Sequence, residues 1–277
     1  MRIDALLARA AARLAGAGSP SARLDAEVLA GHALGVDRTW LYTWGDREFE
    51  GWPRARFEAL VAARADGRPV AYLTGEREFW GLSLETAPST LIPRPDTETL
   101  VETALARATA GEGALLDLGT GTGAIALAFA SERPGWRVEG IDLSESAVAL
   151  ARRNARRHEL AVRFRVSDWF GALDEDERFD LIVANPPYID AADPHLAQGD
   201  VRFEPLSALV APEAGLGDLR RIAEAALVRL HPGGALLMEH GMRQGPEVRQ
   251  ILVEAGFRDV ETRVDLGGRE RVTLGLG

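Results

Sequence analysis

From Asp96 onward, short apolar runs alternate with helical segments, and few folds accommodate that alternation. The runs are Ala114–Leu118, Arg137–Ile141, Val162–Val166, Leu181–Ala184 and Ala235–Glu239. A strand that returns parallel to its predecessor needs a long crossover, and a helix is the usual one. The pattern therefore predicts an α/β, doubly wound, Rossmann-like sheet with helices on both faces. Beyond it, Val260, Val264 and Arg271-Val272-Thr273-Leu274 surround Gly267-Gly268 and predict two closing strands.

Residues 1–75 have a different texture, rich in Ala, Leu and Arg at helical spacing. Leu6, Leu7, Ala10 and Leu14 fall on one helix face. Ser21–His32 predicts a second helix with Leu24, Val28 and Leu29 inward, and Pro53–Ala65 another with Phe57, Leu60 and Val61 inward. The expectation is a small N-terminal helical domain over 1–75, a short linking β-hairpin over 76–92 and the sheet domain over 93–277.

Several functions are excluded by what is missing. No cysteine is present, so disulfides, thiolate nucleophiles and cysteine metal sites are absent. All 32 Lys+Arg positions are Arg, which removes Schiff-base lysines and the lysine of a P-loop. The five histidines show no ligand spacing, so no metal is expected. A net charge of −10 argues against tight nonspecific nucleic-acid binding. No run of apolar residues is long enough for a membrane span, and Arg9 and Arg13 interrupt the N-terminal segment as in an amphipathic helix. A cytoplasmic location is the expectation.

Asp117-Leu118-Gly119-Thr120-Gly121-Thr122-Gly123 joins the first strand to the next helix. Alternate glycines let backbone approach a ligand closely and adopt positive φ. Asp142, 19 residues after Gly123, ends the second strand, where a carboxylate can accept both hydroxyls of a ribose. A dinucleotide loop is G-x-G-x-x-G, built to approach a pyrophosphate. This one is G-x-G-x-G, preceded by Asp117, which would repel a pyrophosphate but suit an amino-acid ammonium. That favours S-adenosylmethionine, with S-adenosylhomocysteine as the product. Asp168 and Trp169 follow the third strand, where the acid suits an adenine amino group and the indole could cover the base.

The fourth strand ends in Asn185-Pro186-Pro187-Tyr188. Each proline restricts the residue before it to extended conformations. Two acceptors would be held in place, the Asn185 side-chain oxygen and the Pro186 carbonyl, and together they suit the two hydrogens of a substrate –NH2. Tyr188 would pack against a planar group. Standing alone, the run would more often be a strand terminator; beside a methyl-donor loop it points to amino-group methylation.

These motifs together resemble the release-factor glutamine methyltransferases. The resemblance spans nearly the whole chain: Ser21 to Glu27, Arg68 to Gly75, Phe79-Trp80, Leu91-Ile92-Pro93-Arg94-Pro95-Asp96-Thr97-Glu98, the glycine loop, Asn185 to Ile189 and Glu239-His240-Gly241. It implies a class I methyltransferase fold. It also implies methyl transfer to the glutamine of a Gly-Gly-Gln loop in peptide-chain release factors. By that resemblance Gly119 to Gly123, Asp142, Trp169 and Asn185 contact the cofactor, Asn185 to Tyr188 hold the glutamine, and Arg94 and Pro95 lie near the rim. No direct nucleic-acid or membrane partner is expected. The competing readings are an amino-methyltransferase for adenine or guanine in DNA or rRNA and a noncatalytic binding protein. Gly199 to Pro205 is expected to order when substrate binds, and Asp174 to Glu177 to be an exposed loop.

Overall fold

Helix formation at the N-terminus follows the apolar spacing, and the computed structural model describes all residues, 1–277. The chain divides into two units, Met1–Glu76 with Pro194–Phe203, and Arg77–Asp193 with Glu204–Gly277.

The first unit holds α1 (Ile3–Gly16), α2 (Ala22–Leu34), α3 (Arg38–Thr43), α4 (Gly51–Ala65) and α5 (Val70–Thr74). Ile3, Leu6, Leu7, Ala10 and Leu14 of α1 meet Leu29, Phe57 and Val61 in its core. Leu24 departs from expectation: it is 44% exposed, and Val28 is only half-buried. The cause is ionic. Helix α2 turns Asp25 and Glu27 inward; Arg64 reaches Asp25 at 2.7 Å, and Arg23 and Arg38 reach Glu27 at 2.6 and 2.8 Å. Breaking such a buried pair strands a charge, so the pairs fix the helix rotation and leave Leu24 outside. The segment 194–203 is tied to the helical unit. Arg64 Nη1 donates to Asp200 at 2.6 Å and Arg202 to the Asp66 carbonyl at 3.3 Å.

In the second unit, β1 (Glu76–Phe79) and β2 (Leu82–Glu85) form a hairpin around Trp80-Gly81. Both turn residues have positive φ, 54° and 73°, as a two-residue turn matched to strand twist requires. The Trp80 indole N–H donates to Glu132 at 3.0 Å. The hairpin is more than a linker. Phe79 and Leu84 are core residues of the sheet unit, and buried Asn154 bonds both backbone groups of Glu85.

The sheet contains β3 (Gly113–Leu118), β4 (Trp136–Asp142), β5 (Val162–Val166), β6 (Phe179–Ala184), β7 (Leu230–Glu239), β8 (Arg258–Val264) and β9 (Glu270–Leu276), in the order β5-β4-β3-β6-β7-β9-β8. The first five run parallel; β9 enters antiparallel between β7 and β8. The helices are α6 (Glu98–Arg107), α7 (Ala124–Glu132), α8 (Glu145–Arg157), α9 (Pro212–Gly215, one irregular turn), α10 (Gly217–Ala226) and α11 (Gly245–Glu254). Alternate strand residues serve opposite faces. Leu115, Leu181, Val183 and Leu237 pack with α6, α7 and α8, while Leu116, Ile182, Leu236 and Met238 pack with α10 and α11. Both faces are covered, which is why the strands read as continuous apolar runs. Strand order reverses between β3 and β6, so a crevice opens at their carboxyl ends.

Candidate active site

The loop after β3 is built from three left-handed glycines, Gly119, Gly121 and Gly123, with φ of 73°, 56° and 85°. Gly123 is also tightly packed, since an added Cβ would lie 3.1–3.2 Å from Leu127, Ala151 and Phe164. Thr120 N–H donates to the Ile141 carbonyl at 2.8 Å, which ties the loop to the end of β4. Asp117 sits behind the loop and is fully buried. Its Oδ2 accepts from Thr120 Oγ1 at 2.6 Å and from Ala126 N at 3.3 Å, whereas Oδ1 has no partner. Burial pushes this carboxyl up to about 7, against the two hydrogen bonds.

Asp142 accepts Gly121 N–H on Oδ2 and Ser144 N–H on Oδ1, both at 2.9 Å. Burial raises its pKa as well, against those bonds. Each carboxylate oxygen carries two lone pairs, so the acid can hold the loop and still accept hydroxyls. A cavity of about 320 Å³ lies in front, within the range of small-molecule sites. Gly119, Thr120, Gly121, Thr122, Asp142, Asp168, Trp169, Asn185 and Pro187 all line it. Trp169 adopts φ of 46°, and its ring would come within 3.6 Å of a Cβ on Gly119. Asp168 pairs with Arg221 at 2.8 Å on the exposed side. At the other wall, Asn185 Nδ2 donates to Thr97 Oγ1 at 3.2 Å, which leaves Oδ1 as its acceptor for a ligand.

A family profile described as "PrmC N-terminal domain" matches residues 5–75, and "Methyltransferase small domain" matches residues 95–200. A release factor glutamine methyltransferase from Vibrio cholerae is 53% identical over 276 residues, 99% of this chain and 96% of the relative. Another from Pseudomonas aeruginosa is 57% identical over 258 residues, 93% of each chain. The chain belongs to the release factor glutamine methyltransferase family. Among solved structures, a T. thermophilus 16S rRNA methyltransferase in complex with AdoMet and guanosine shares the fold, with TM-score 0.53 and 23% identity over 73% of this chain and 49% of that one. The sheet is therefore a class I methyltransferase fold, the expected α/β class.

Other family motifs fall in different places from those expected. Asp117 and Gly123 do not line the cavity; they support its floor from behind. The Pro186 ring and the Tyr188 side chain do not line it, while Asn185 and Pro187 do. The prolines force extended backbone, and extended residues alternate sides. Tyr188 does not present its ring to the cavity. Its hydroxyl donates to Glu239 at 3.3 Å and its carbonyl accepts from Gln244 at 3.0 Å. Burial, together with nearby Glu239, pushes the phenol pKa well above its usual value. His240, next to Glu239, is buried with Thr273 Oγ1 at 2.8 Å from Nε2, a structural setting. Glu177 departs from the exposed-loop expectation, holding Arg165 with both oxygens at 2.9 Å.

Sequence reasoning did not single out Thr97, Asp218 or Arg221, all of which line the cavity. Burial raises the pKa of Asp218. No motif marks these residues: Thr97 ends a short turn, Asp218 lies in the first turn of α10 and Arg221 one turn further along it. Arg94 also lines the cavity, paired with the buried Glu204 carboxylate. Glu204 also accepts Ile92 N–H at 3.3 Å, which fixes the approach to Arg94.

Proposed function

We propose that the protein transfers a methyl group from S-adenosylmethionine to the side-chain amide nitrogen (N5) of the glutamine in the Gly-Gly-Gln loop of peptide-chain release factors. What carries this reading is relatedness across nearly the full length of proteins named for that activity, combined with an unengaged Asn185 Oδ1 at the cavity wall. Gly119 to Thr122, Asp142, Asp168 and Trp169 would hold the donor. The partnerless Oδ1 of buried Asp117 fits a ligand that brings positive charge to the loop. When bound, S-adenosylmethionine supplies an electrophilic methyl on a sulfonium.

Asn185 Oδ1 and the Pro186 carbonyl would each accept one hydrogen of the glutamine –NH2. That fixes the nitrogen and aims its lone pair. Such orientation is worth up to roughly 7–11 kcal/mol in well-aligned systems. As the N–C bond forms, the C–S bond breaks and the sulfonium becomes a thioether. The methylated amide is then strongly acidic and loses a proton to water; Asn185 cannot act as a base. The helical unit, residues 1–76 with 194–203, would recognise the bulk of the release factor.

The nucleic-acid reading shares the Asn-Pro-Pro-Tyr run. Against it stand the net charge of −10 and the state of one arginine-rich face, where Arg153 pairs with Glu85 at 2.8 Å and Arg152 donates to the Phe164 carbonyl at 2.5 Å. No helix is long and apolar enough to cross a membrane. Incubation with methyl-labelled donor and separate release-factor, DNA and RNA acceptors tests the reading. Label is expected on release-factor glutamine. Label on nucleic acid alone would refute the choice of substrate, and no label anywhere would favour a noncatalytic protein.

A further inference from the structure

The stretch that leaves β7, Glu239-His240-Gly241-Met242-Arg243-Gln244, meets the end of the Asn-Pro-Pro-Tyr run, and neither donor nor glutamine binding accounts for that contact. Gln244 folds back on Gly241: its main-chain N–H donates to the Gly241 carbonyl at 2.9 Å, and its Oε1 accepts the Gly241 N–H at 2.8 Å. Its Nε2 donates to the Tyr188 carbonyl at 3.0 Å. An N–H only gives a hydrogen bond and a carbonyl only takes one, so these two backbone groups leave the Gln244 amide a single orientation. Gly215 makes the room for this contact. A Cβ there would lie 2.2 Å from the Tyr188 oxygen and 3.0 Å from Gln244 Nε2. Gly215 has φ of 87° and follows Glu213 and Ala214 at 55° and 53°, so three successive residues hold the left-handed conformation. For Glu213 and Ala214 that conformation is strained.

Pro186 and Pro187 have no N–H, so the chain between Asn185 and Tyr188 has no donor with which to fasten itself. Each proline also fixes its own φ and keeps its predecessor extended, so the run behaves as a stiff rod. Its position is set by what holds its ends. At the start, Ala184 is paired with Leu118 of β3 and Met238 of β7. At the far end, the Tyr188 hydroxyl donates to Glu239 Oε1 at 3.3 Å. Beyond it, Ile189 N–H donates to the Leu209 carbonyl at 2.9 Å, and Ala211 N–H donates to the Ile189 carbonyl at 3.1 Å. Gln244 holds the Tyr188–Ile189 peptide, the joint between the rod and that bridge. The Pro186 carbonyl lies between the two fixed ends and takes no main-chain hydrogen bond, which leaves it for a substrate.

We propose that Gln244 is a positioning residue for methyl transfer: by holding the Tyr188 carbonyl it fixes the far end of the Asn-Pro-Pro-Tyr rod, and so places the Pro186 carbonyl and Asn185 Oδ1 for the substrate –NH2. This rests on Asn185 and Pro186 as the groups that hold the amine. The donor loop does not depend on Gln244. Gly121 is held by Asp142 and Thr120 by Asp117 and the Ile141 carbonyl, and both hydrogen-bonding ends of the Gln244 side chain are spent on Gly241 and Tyr188. The effect of losing Gln244 therefore falls on the aim of the amine. It appears in kcat, because in-line alignment is needed as the N–C bond forms and not for binding the donor.

The test compares wild type with Q244E and Q244M, measuring kcat and KM for methyl transfer to release factor and donor Kd by calorimetry. Gln244→Glu keeps an acceptor for the Gly241 N–H and sets a carboxylate oxygen against the Tyr188 carbonyl. Gln244→Met keeps the length and removes both bonds. Both are expected to lower kcat roughly tenfold or more, with donor Kd and acceptor KM within about twofold of wild type. Donor binding at wild-type affinity also shows that each variant is folded. Unchanged kcat in Q244E and Q244M would overturn the proposal. So would a loss of kcat matched by a parallel loss of donor affinity, which a purely structural role produces. A rise in KM with kcat unchanged would overturn it too, since Gln244 would then serve binding and not alignment. If the wild type labels nucleic acid instead of release factor, the substrate assignment falls, while the same kcat ratios on that amino acceptor still decide the role of Gln244.

Discussion

Asn154 offers the sharpest check on how the hairpin and the donor loop are held together. The side chain is buried on α8. Its Oδ1 accepts Glu85 N–H at 2.7 Å, and its Nδ2 donates to the carbonyls of Glu85 at 3.1 Å and Thr122 at 2.9 Å. Asn154→Leu keeps the volume and deletes all three bonds. The Thr122 carbonyl is left buried without a partner, which costs about 1–3 kcal/mol. The two Glu85 groups are part-exposed and lose about 0.5–1.5 kcal/mol each. Together these give about 4 kcal/mol, near the top of what a single substitution does. In a domain of this size that corresponds to a fall in Tm of roughly 8–16 °C. Urea unfolding followed by tryptophan fluorescence measures the stability, and titration calorimetry the donor. Because Thr122 belongs to the glycine loop, donor affinity should weaken in the same variant. A loss below about 1 kcal/mol with unchanged donor binding would refute the reasoning, since backbone left unpaired at this position would then cost nothing.

Gly123→Ala meets both a φ of 85° and neighbours at 3.1–3.2 Å, so thermal unfolding should show a loss of about 1–3 kcal/mol and calorimetry a weaker donor. Asp142→Ala removes charge-assisted acceptors from the loop and from a bound ribose, and should weaken donor Kd roughly 10- to 100-fold by calorimetry. The buried carboxyl of Asp117 titrates near 7 when folded and near 3.8 otherwise, so its stabilising contribution is full below about pH 4 and lost as pH rises through 7. Without donor, Asp117→Asn should therefore gain on wild type in urea denaturation between pH 5 and pH 8, and a pH-independent difference would count against the buried titration. Trp52 is 76% exposed on α4, and Trp52→Ala should raise KM for whole release factor while leaving a Gly-Gly-Gln peptide unaffected.

The amino-acid sequence by itself determined the strands, because both faces of a parallel sheet are covered and the centres of β3, β6 and β7 are therefore runs of apolar residues. It also determined the donor loop, since positive φ at three alternate positions calls for glycine. Asn185 was legible because its run ends a strand at the carboxyl edge of the sheet, beside the donor loop. Tertiary structure decided what has no local period. Leu24 faces out because the buried carboxylates of α2 pair with arginines on α3 and α4 and so set its rotation. Asp117 lies behind the loop because Thr120 and Ala126 claim its oxygen. Antiparallel β9 enters between β7 and β8 through pairing between residues distant in the chain, which no sequence window contains. Asn185 and Thr97 meet from separate segments, and only the fold brings that hydroxyl to the amide. The run that marks the site was readable from its chemistry; the direction in which its amide points was set by neighbours that sequence spacing cannot place.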